Sequence, residues 1–344
     1  MRIIIDAMGG DNAPEAPIRG ALRAVEELGV DVTLVGRRED IEKELSAAGA
    51  QGKVEIVDAR QVITMEDDPS TATRHKKDSS MTVALTLLRD GAGDAVVSAG
   101  STGALLTGAT LIVKRIRGIR RAALAPVLPN GGRGVLLIDC GANVDCTAEY
   151  LLQFAFMGSF YAQRVMGCTT PRVGLLNNGT EETKGGDLQA EAFARLREAS
   201  ELGRIHFIGN VEASSVLSGD VDVVVTDGFS GNILLKGFEG AAKFMIDNLK
   251  TVLTTGIKNK VAALLVKNDL KAFKALLDPN RIGGTALMGI TKPVIKAHGS
   301  SNADAILSAV RQAVSCSDSG ITAEIESNIE YMKLPVEKAK STEE

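Results

Sequence analysis

The sequence predicts an α/β fold built on a mostly parallel sheet, and two patterns carry that prediction. Short apolar runs of strand character alternate with helical runs along most of the chain. Four of those apolar runs also empty directly into turns rich in Gly, Asn, Asp and Ser. In a parallel sheet such turns gather at the carboxyl edge, where glycine permits tight backbone paths and helix N-termini offer free N–H groups to an anion. The chain therefore reads as an α/β enzyme that handles a phosphate or a carboxylate.

The first predicted strand, 3–5, runs into Asp6-Ala7-Met8-Gly9-Gly10-Asp11-Asn12, and a helix follows over 15–28. Strand 32–35, helix 39–48, strand 54–57 and helix 81–89 continue the alternation. Strand 95–97 then enters Ser98-Ala99-Gly100-Ser101-Thr102-Gly103 and opens a helix over 103–113. Strand 135–138 ends at Asp139-Cys140-Gly141-Ala142-Asn143. The next helix, 148–165, is apolar on nearly every face and must be buried on all sides, in the core or at a subunit interface. Strand 173–176 enters Asn177-Asn178-Gly179-Thr180 and leads through Lys184 to a helix over 188–199. Strand 221–225 enters Thr226-Asp227-Gly228-Phe229-Ser230-Gly231-Asn232, with a helix over 233–244. His298-Gly299-Ser300-Ser301 precedes one more helix. Two segments break the pattern: 254–282 is basic and amphipathic, and 335–344 is short, charged and expected to fray.

Bulk properties exclude several classes. At 344 residues and 44% hydrophobic, residues 1–334 are expected to form one large α/β domain, in a single body or two lobes. Basic residues number 39 and acidic residues 43, so the net charge of −4 offers no global field for nucleic acid. Four cysteines without a CxxC pair indicate neither a disulfide framework nor a zinc site, and fit a reducing cytosol. Neither GxxxxGK[ST] nor GxGxxG occurs, HExxH is missing, and the three histidines stand far apart, so no metal and no cofactor is expected. The strand pattern begins at Arg2, which leaves no room for a signal peptide, and no run of 18 apolar residues occurs. The expectation is a cytoplasmic protein, with peripheral membrane contact through 254–282.

The third turn carries the most chemistry, because it places Lys184 among potential backbone donors where an anion could sit. Its plainer reading is a turn with a solvated charge. Asn232 either caps the helix that follows or, with Ser230 and Gly231, holds a phosphate or a developing oxyanion. His298 is read as a substrate contact or a structural histidine. Cys140 and Cys146 are read as buried spectators, with a thiol nucleophile as the alternative.

Seven segments together point to a family: 6–14, 76–81, 98–104, 139–145, 177–185, 226–232 and 298–301. In order and over residues 1 to about 334 they resemble the bacterial phosphate acyltransferases of phospholipid synthesis. The resemblance implies conversion of acyl-acyl carrier protein and inorganic phosphate into acyl phosphate, and a homodimer. It also implies a three-layer, Rossmann-like fold of the isocitrate/isopropylmalate dehydrogenase type, shared with phosphate acetyltransferase. Ser101 and Ala122 depart from the Asn and Pro common in that family.

A thioester donor and a dianionic acceptor need positioning and charge compensation rather than a covalent intermediate or a metal. On that basis Lys184 and Asn232 are the expected catalytic residues. Gly9, Gly10, Gly100, Ser101, Thr102, Gly103, Asn177, Gly179, Thr180, Ser230, Gly231 and His298 are expected to line the phosphate and substrate site. Asp6, Asp11 and Asp227 are expected to fix turns, and Asn143 is assigned to both roles. Acyl carrier protein is acidic, so docking on a net-negative enzyme calls for a local basic patch. Arg117 and Arg120 are the first candidates, and the Arg74, His75, Lys76, Lys77 loop is the second. Leu264, Leu265 and Phe273 are the expected membrane contacts. The competing readings are a soluble phosphate acetyltransferase-like enzyme using acyl-CoA, a dehydrogenase on the same fold, and a non-catalytic membrane scaffold.

Overall fold

A computed structural model describes residues 1–276 and 284–334. The strands are β1 (Arg2–Asp6), β2 (Asp31–Gly36), β3 (Glu55–Asp58), β4 (Ala95–Ser98), β5 (Ala123–Ala125), β6 (Val127–Leu128), β7 (Val135–Ile138), β8 (Arg172–Asn177), β9 (His206–Glu212), β10 (Val223–Val225), β11 (Thr285–Met288) and β12 (Val294–Lys296). The helices are α1 (Glu15–Leu28), α2 (Arg38–Ala47), α3 (Ala72–His75), α4 (Ser80–Arg89), α5 (Thr102–Gly108), α6 (Ala148–Arg164), α7 (Asp187–Glu201), α8 (Gly228–Thr254), α9 (Gly256–Leu265), α10 (Lys267–Leu276), α11 (Ala303–Asp318) and α12 (Ile321–Ser327).

The strands form two sheets. The first runs β3-β2-β1-β4-β12-β11-β5 and the second β6-β7-β10-β8-β9. Pairing is parallel except where β11 meets β12 and β5, and where β6 meets β7. The mostly parallel α/β expectation therefore holds. The four predicted strand-end turns follow β1, β4, β8 and β10, and β7 and β12 add two more at their own carboxyl ends.

Pro126 joins the sheets. It lies between β5 in the first and β6 in the second, and a proline cannot donate to a ladder. Its carbonyl still accepts from the Leu137 amide at 2.9 Å, and the Leu124 carbonyl accepts from the Cys140 amide at 2.9 Å. The chain thus crosses between sheets while remaining hydrogen-bonded to β7 and the turn after it.

The all-apolar helix is a core element. In α6, Leu152, Phe154, Phe156, Met157 and Tyr161 are buried, and α7, α12, β7, β8 and β10 cover it within the same chain. Two helices differ from the sequence expectation. The predicted helix 103–113 is α5 followed by a π-helical stretch, Ala109–Lys114. The predicted helix 233–244 begins earlier, at Gly228, and extends to Thr254. Beyond Ala242 no residue of α8 is buried, and α9 has no buried residue at all.

Segment 254–282 is therefore helical as far as Leu276, with α9 exposed along its length; residues 277–282, like the expected tail 335–344, lie outside the described residues. Ile257, Leu264 and Leu265 are more than 70% exposed. Solvated leucine and isoleucine at that density mark a surface built to be covered. Among the described residues, no helix is long and apolar enough to cross a membrane.

Candidate active site

Three turns of the first sheet interlock. The buried Asp6 carboxylate accepts from the Met8 amide at 3.2 Å and the Ser98 hydroxyl at 2.7 Å, and Ser98 Oγ accepts from the Gly100 amide at 3.1 Å. Burial pushes the Asp6 carboxyl above its ordinary value, against the pull of those bonds and of Lys296. A Cβ at Gly9 would stand 2.7 Å from both Asp6 Oδ2 and the Gly100 amide nitrogen, so only glycine lets the turns after β1 and β4 touch. The Asp11 amide donates to the Gly299 carbonyl at 2.8 Å, and the Asn12 side chain donates to the Ser300 and Ser301 carbonyls. Gly10 takes φ of +97° at this junction. Ser101 caps α5, accepting from the Ala104 amide, and Gly103 lies against Pro69.

A second interlock follows β7 and β10. Asp139 is fully buried; its carboxylate accepts from the amides of Leu124 (2.8 Å), Ala142 (3.2 Å) and Asn143 (2.7 Å), and from Asn143 Nδ2 (2.9 Å). Asn143 Nδ2 also donates to the Ala122 carbonyl at 2.8 Å, and the Asn143 carbonyl accepts from the Gly228 amide at 2.7 Å. Asn143 thus spends its amide on the turn. Asp227, not Asn232, caps α8: its carboxylate accepts from the Ser230 amide and hydroxyl, both at 2.8 Å. Gly231 packs its Cα against the Asp139 carbonyl.

The two interlocks face one another across a cleft of about 310 Å³. Asn232, Leu235, Lys236 and Glu239, one face of α8, form a wall. Thr102, Cys140, Lys296, His298, Ser300 and Ser301 supply polar groups, and Leu124, Pro126, Val127 and Leu128 an apolar side. His298 Nδ1 lies 2.8 Å from Ser300 Oγ, and Lys236 pairs with Glu239 at 2.7 Å. Lys296 is 8% exposed, its ammonium donating to the Ala99 and Ala297 carbonyls. Burial pushes it down to about 8.

Of the residues expected from the sequence, Thr102, Asn232 and His298 line this cleft. Asn177, Gly179, Thr180 and Lys184 share a different loop, after β8, the strand beside β10. There Asn177 Nδ2 donates to the Lys184 carbonyl at 3.0 Å, and the half-exposed Lys184 ammonium lies 3.8 Å from Glu181. Burial disfavours the thiolate at both candidates, pushing Cys140 well above its ordinary value and Cys146 up to about 12. No cluster of three or more metal-ligating side chains occurs among the described residues. The sequence reading missed Lys296, Ser301 and Asp139 as site-building groups. The available signal for Lys296 was a lysine closing the apolar run Val294-Ile295 just before the His298 turn.

The chain matches a family model described as "Fatty acid synthesis protein" over residues 1–324. It is 46% identical over 332 residues to a phosphate acyltransferase of Bacillus licheniformis, covering 96% of this chain and 98% of that one. The chain belongs to the phosphate acyltransferase family. Its fold is similar to that of a phosphotransacetylase from Streptococcus pyogenes, with TM-score 0.63 at 18% identity over 93% of this chain and 94% of that one. It is also similar to a putative 4-hydroxythreonine-4-phosphate dehydrogenase from Salmonella typhimurium, with TM-score 0.51 at 13% identity over 92% of this chain and 99% of that one. At such identities these likenesses speak to the fold alone, a framework that hosts more than one function.

Proposed function

We propose that this protein transfers a fatty acyl group from acyl-acyl carrier protein to inorganic phosphate, giving acyl phosphate for phospholipid synthesis. The observation that carries the reading is the cleft itself. Ammonium, hydroxyl and amide groups converge there where strand-end turns of both sheets meet, beside an apolar side formed by Leu124, Pro126, Val127 and Leu128 that would face an acyl chain.

In this reading hydrogen phosphate attacks the thioester carbonyl through one oxygen. The C–O bond forms, the C–S bond breaks, and the proton phosphate carried ends on the departing thiol. Asn232 donates to the tetrahedral oxyanion, and Lys184, from the adjoining strand end, offsets phosphate charge. The Gly9, Gly10, Gly100, Gly179, Thr180, Ser230 and Gly231 turns hold the shape of the site. The test is acyl phosphate formation from long-chain acyl-acyl carrier protein and phosphate, run beside acetyl-CoA as donor. Turnover with acetyl-CoA alone would replace this reading with a soluble acetyltransferase.

Arg117 and Arg120 are the proposed carrier dock. Arg120 pairs with Glu149 at 2.9 Å, whereas Lys76 of the rival loop is tied to Asp67 at 2.6 Å in a half-buried pair. Charge reversal at both arginines is expected to raise the donor KM and flatten its salt dependence, with phosphate saturation unchanged. Wild-type donor KM and salt dependence would remove the patch from consideration.

Membrane contact belongs to segment 254–282. Leu264, Leu265 and Phe273 are exposed apolar side chains on α9 and α10, with Lys258 and Lys260 also exposed on α9. Leu264→Glu with Phe273→Glu is expected to release the protein from anionic vesicles in a flotation assay while sparing acyl transfer in solution. Undiminished vesicle binding would reject the anchor. A homodimer completes the reading, with exposed Phe229, Ile233, Phe244 and Met245 on α8 as the surface a second copy would cover.

A further inference from the structure

Two polar groups at the inner end of the cleft have unspent hydrogen-bonding capacity, and both flank the same turn. Lys296 is the last residue of β12. Its ammonium is buried and reaches only two backbone carbonyls, those of Ala99 and Ala297, which leaves one of three donors without a partner. No carboxylate stands within ion-pair distance of it among the described residues. Ser301 is 4% exposed, and its hydroxyl has no hydrogen-bond partner. Both side chains line the cleft together with Asn232, Thr102 and Ser300.

A buried ammonium with no ion-pair partner and a buried hydroxyl without a hydrogen-bond partner each cost stability. A folded chain retains such groups when a ligand completes them, and stability traded for function is common at binding sites. One tetrahedral oxyanion would complete both, with one oxygen on the ammonium and another on the hydroxyl. The surroundings favour that charge: Ser301 directly precedes Asn302, the cap of the 16-residue helix α11, whose first turn, carrying the positive end of the helix dipole, reaches the cleft wall at Ala305. The charged groups facing Lys296 are Asp6, Asp11 and Lys236. Asp6 accepts from Ser98 and Met8, Lys236 pairs with Glu239, and Asp6 and Asp11 act on the ammonium only beyond ion-pair distance.

We propose that Lys296 and Ser301 form the inner seat for the phosphate acceptor, a role the sequence pattern did not assign to either residue. The inference rests on the acyl transfer reading above, and it moves the main charge contact with phosphate from the exposed Lys184 loop to the buried end of β12. Lys184, on the separate loop after β8, is then left with charge that develops once the donor is bound.

The seat has a pH signature. Phosphate remains dianionic as pH rises through about 8, the value to which burial lowers Lys296. The ammonium loses its proton over that same interval, so phosphate affinity falls on the alkaline side. An arginine at this position stays charged and abolishes the fall.

The test is calorimetric titration of the whole protein with inorganic phosphate, beside steady-state kinetics. Lys296→Met is expected to weaken phosphate binding at least tenfold and Ser301→Ala severalfold. Phosphate KM should rise in step while donor KM stays put. Lys296→Arg should retain part of the affinity and lose the alkaline fall. Folding is not at risk, because Met removes a buried charge and Ala a buried unpaired hydroxyl; thermal midpoints at or above wild type are expected. Wild-type phosphate affinity in Lys296→Met, or an alkaline fall that persists in Lys296→Arg, would overturn the seat. So would a rise in donor KM with phosphate binding intact, since the pair would then hold a phosphate group of the donor. A wild-type protein that binds phosphate through Lys296 yet makes no acyl phosphate would uphold the seat and refute the reaction.

Discussion

Asn232→Ala is expected to lower kcat for acyl phosphate formation by about 10²–10³-fold, the usual effect of deleting one oxyanion donor, with no loss of stability. The structure separates those two outcomes. Asp227 caps α8 through Ser230, so the helix start does not depend on Asn232. The Asn232 side chain is exposed into the cleft beside Gly141, and alanine is the better helix former. Lys184→Ala is expected to lose activity on the same scale. Its only ion-pair contact among the described residues is a 3.8 Å approach to exposed Glu181, a pair worth little to folding. Single-turnover measurement of acyl phosphate release checks both. Near-normal kcat in the folded Asn232 variant would assign the oxyanion to backbone N–H groups instead.

Asp139→Ala is expected to cost about 3 kcal/mol or more, among the larger effects of a single substitution. Its carboxylate accepts four hydrogen bonds, and their donors come from both sides of the sheet junction: Leu124 of β5, and Ala142 and Asn143 of the turn after β7. Burial pushes the Asp139 carboxyl up and those donors pull it back, leaving it above its ordinary value. Alanine would strand the donors in a site that Gly228 and Gly231 already press upon. A lowered urea midpoint with an unchanged slope is the expected observation, and Asp139→Asn should recover part of the loss. A midpoint within experimental scatter of wild type would show that water replaces the carboxylate. Because the same turn supports the wall that carries Asn232, the folded fraction of Asp139→Ala should also show a raised KM for both substrates.

The sequence by itself determined the α/β class, the family and the strand-end turns. These are local properties: strand and helix periods are written in neighbouring residues, and Gly and Asn mark turns by their own backbone preferences. It also determined that α6 must be covered on every face, since no exposed helix is apolar all round. Only the tertiary structure decided that the cover comes from the same chain. It alone showed that Pro126 links β5 of one sheet to β6 of the other, and that Asp227 rather than Asn232 caps α8. It also separated Lys184 from the cleft that holds Asn232. Lys296 shows the reason most clearly. A lysine after two apolar residues reads as the solvated end of a strand, and burial is not a property of a residue or its neighbours. It arises when β4, the turn after it and α8 close over that strand end, contacts made across about 60 to 200 residues of chain. Ser301 and Asp139 went unrecognised for the same reason, because a hydroxyl without a partner and a carboxylate with four exist only once the two sheets meet.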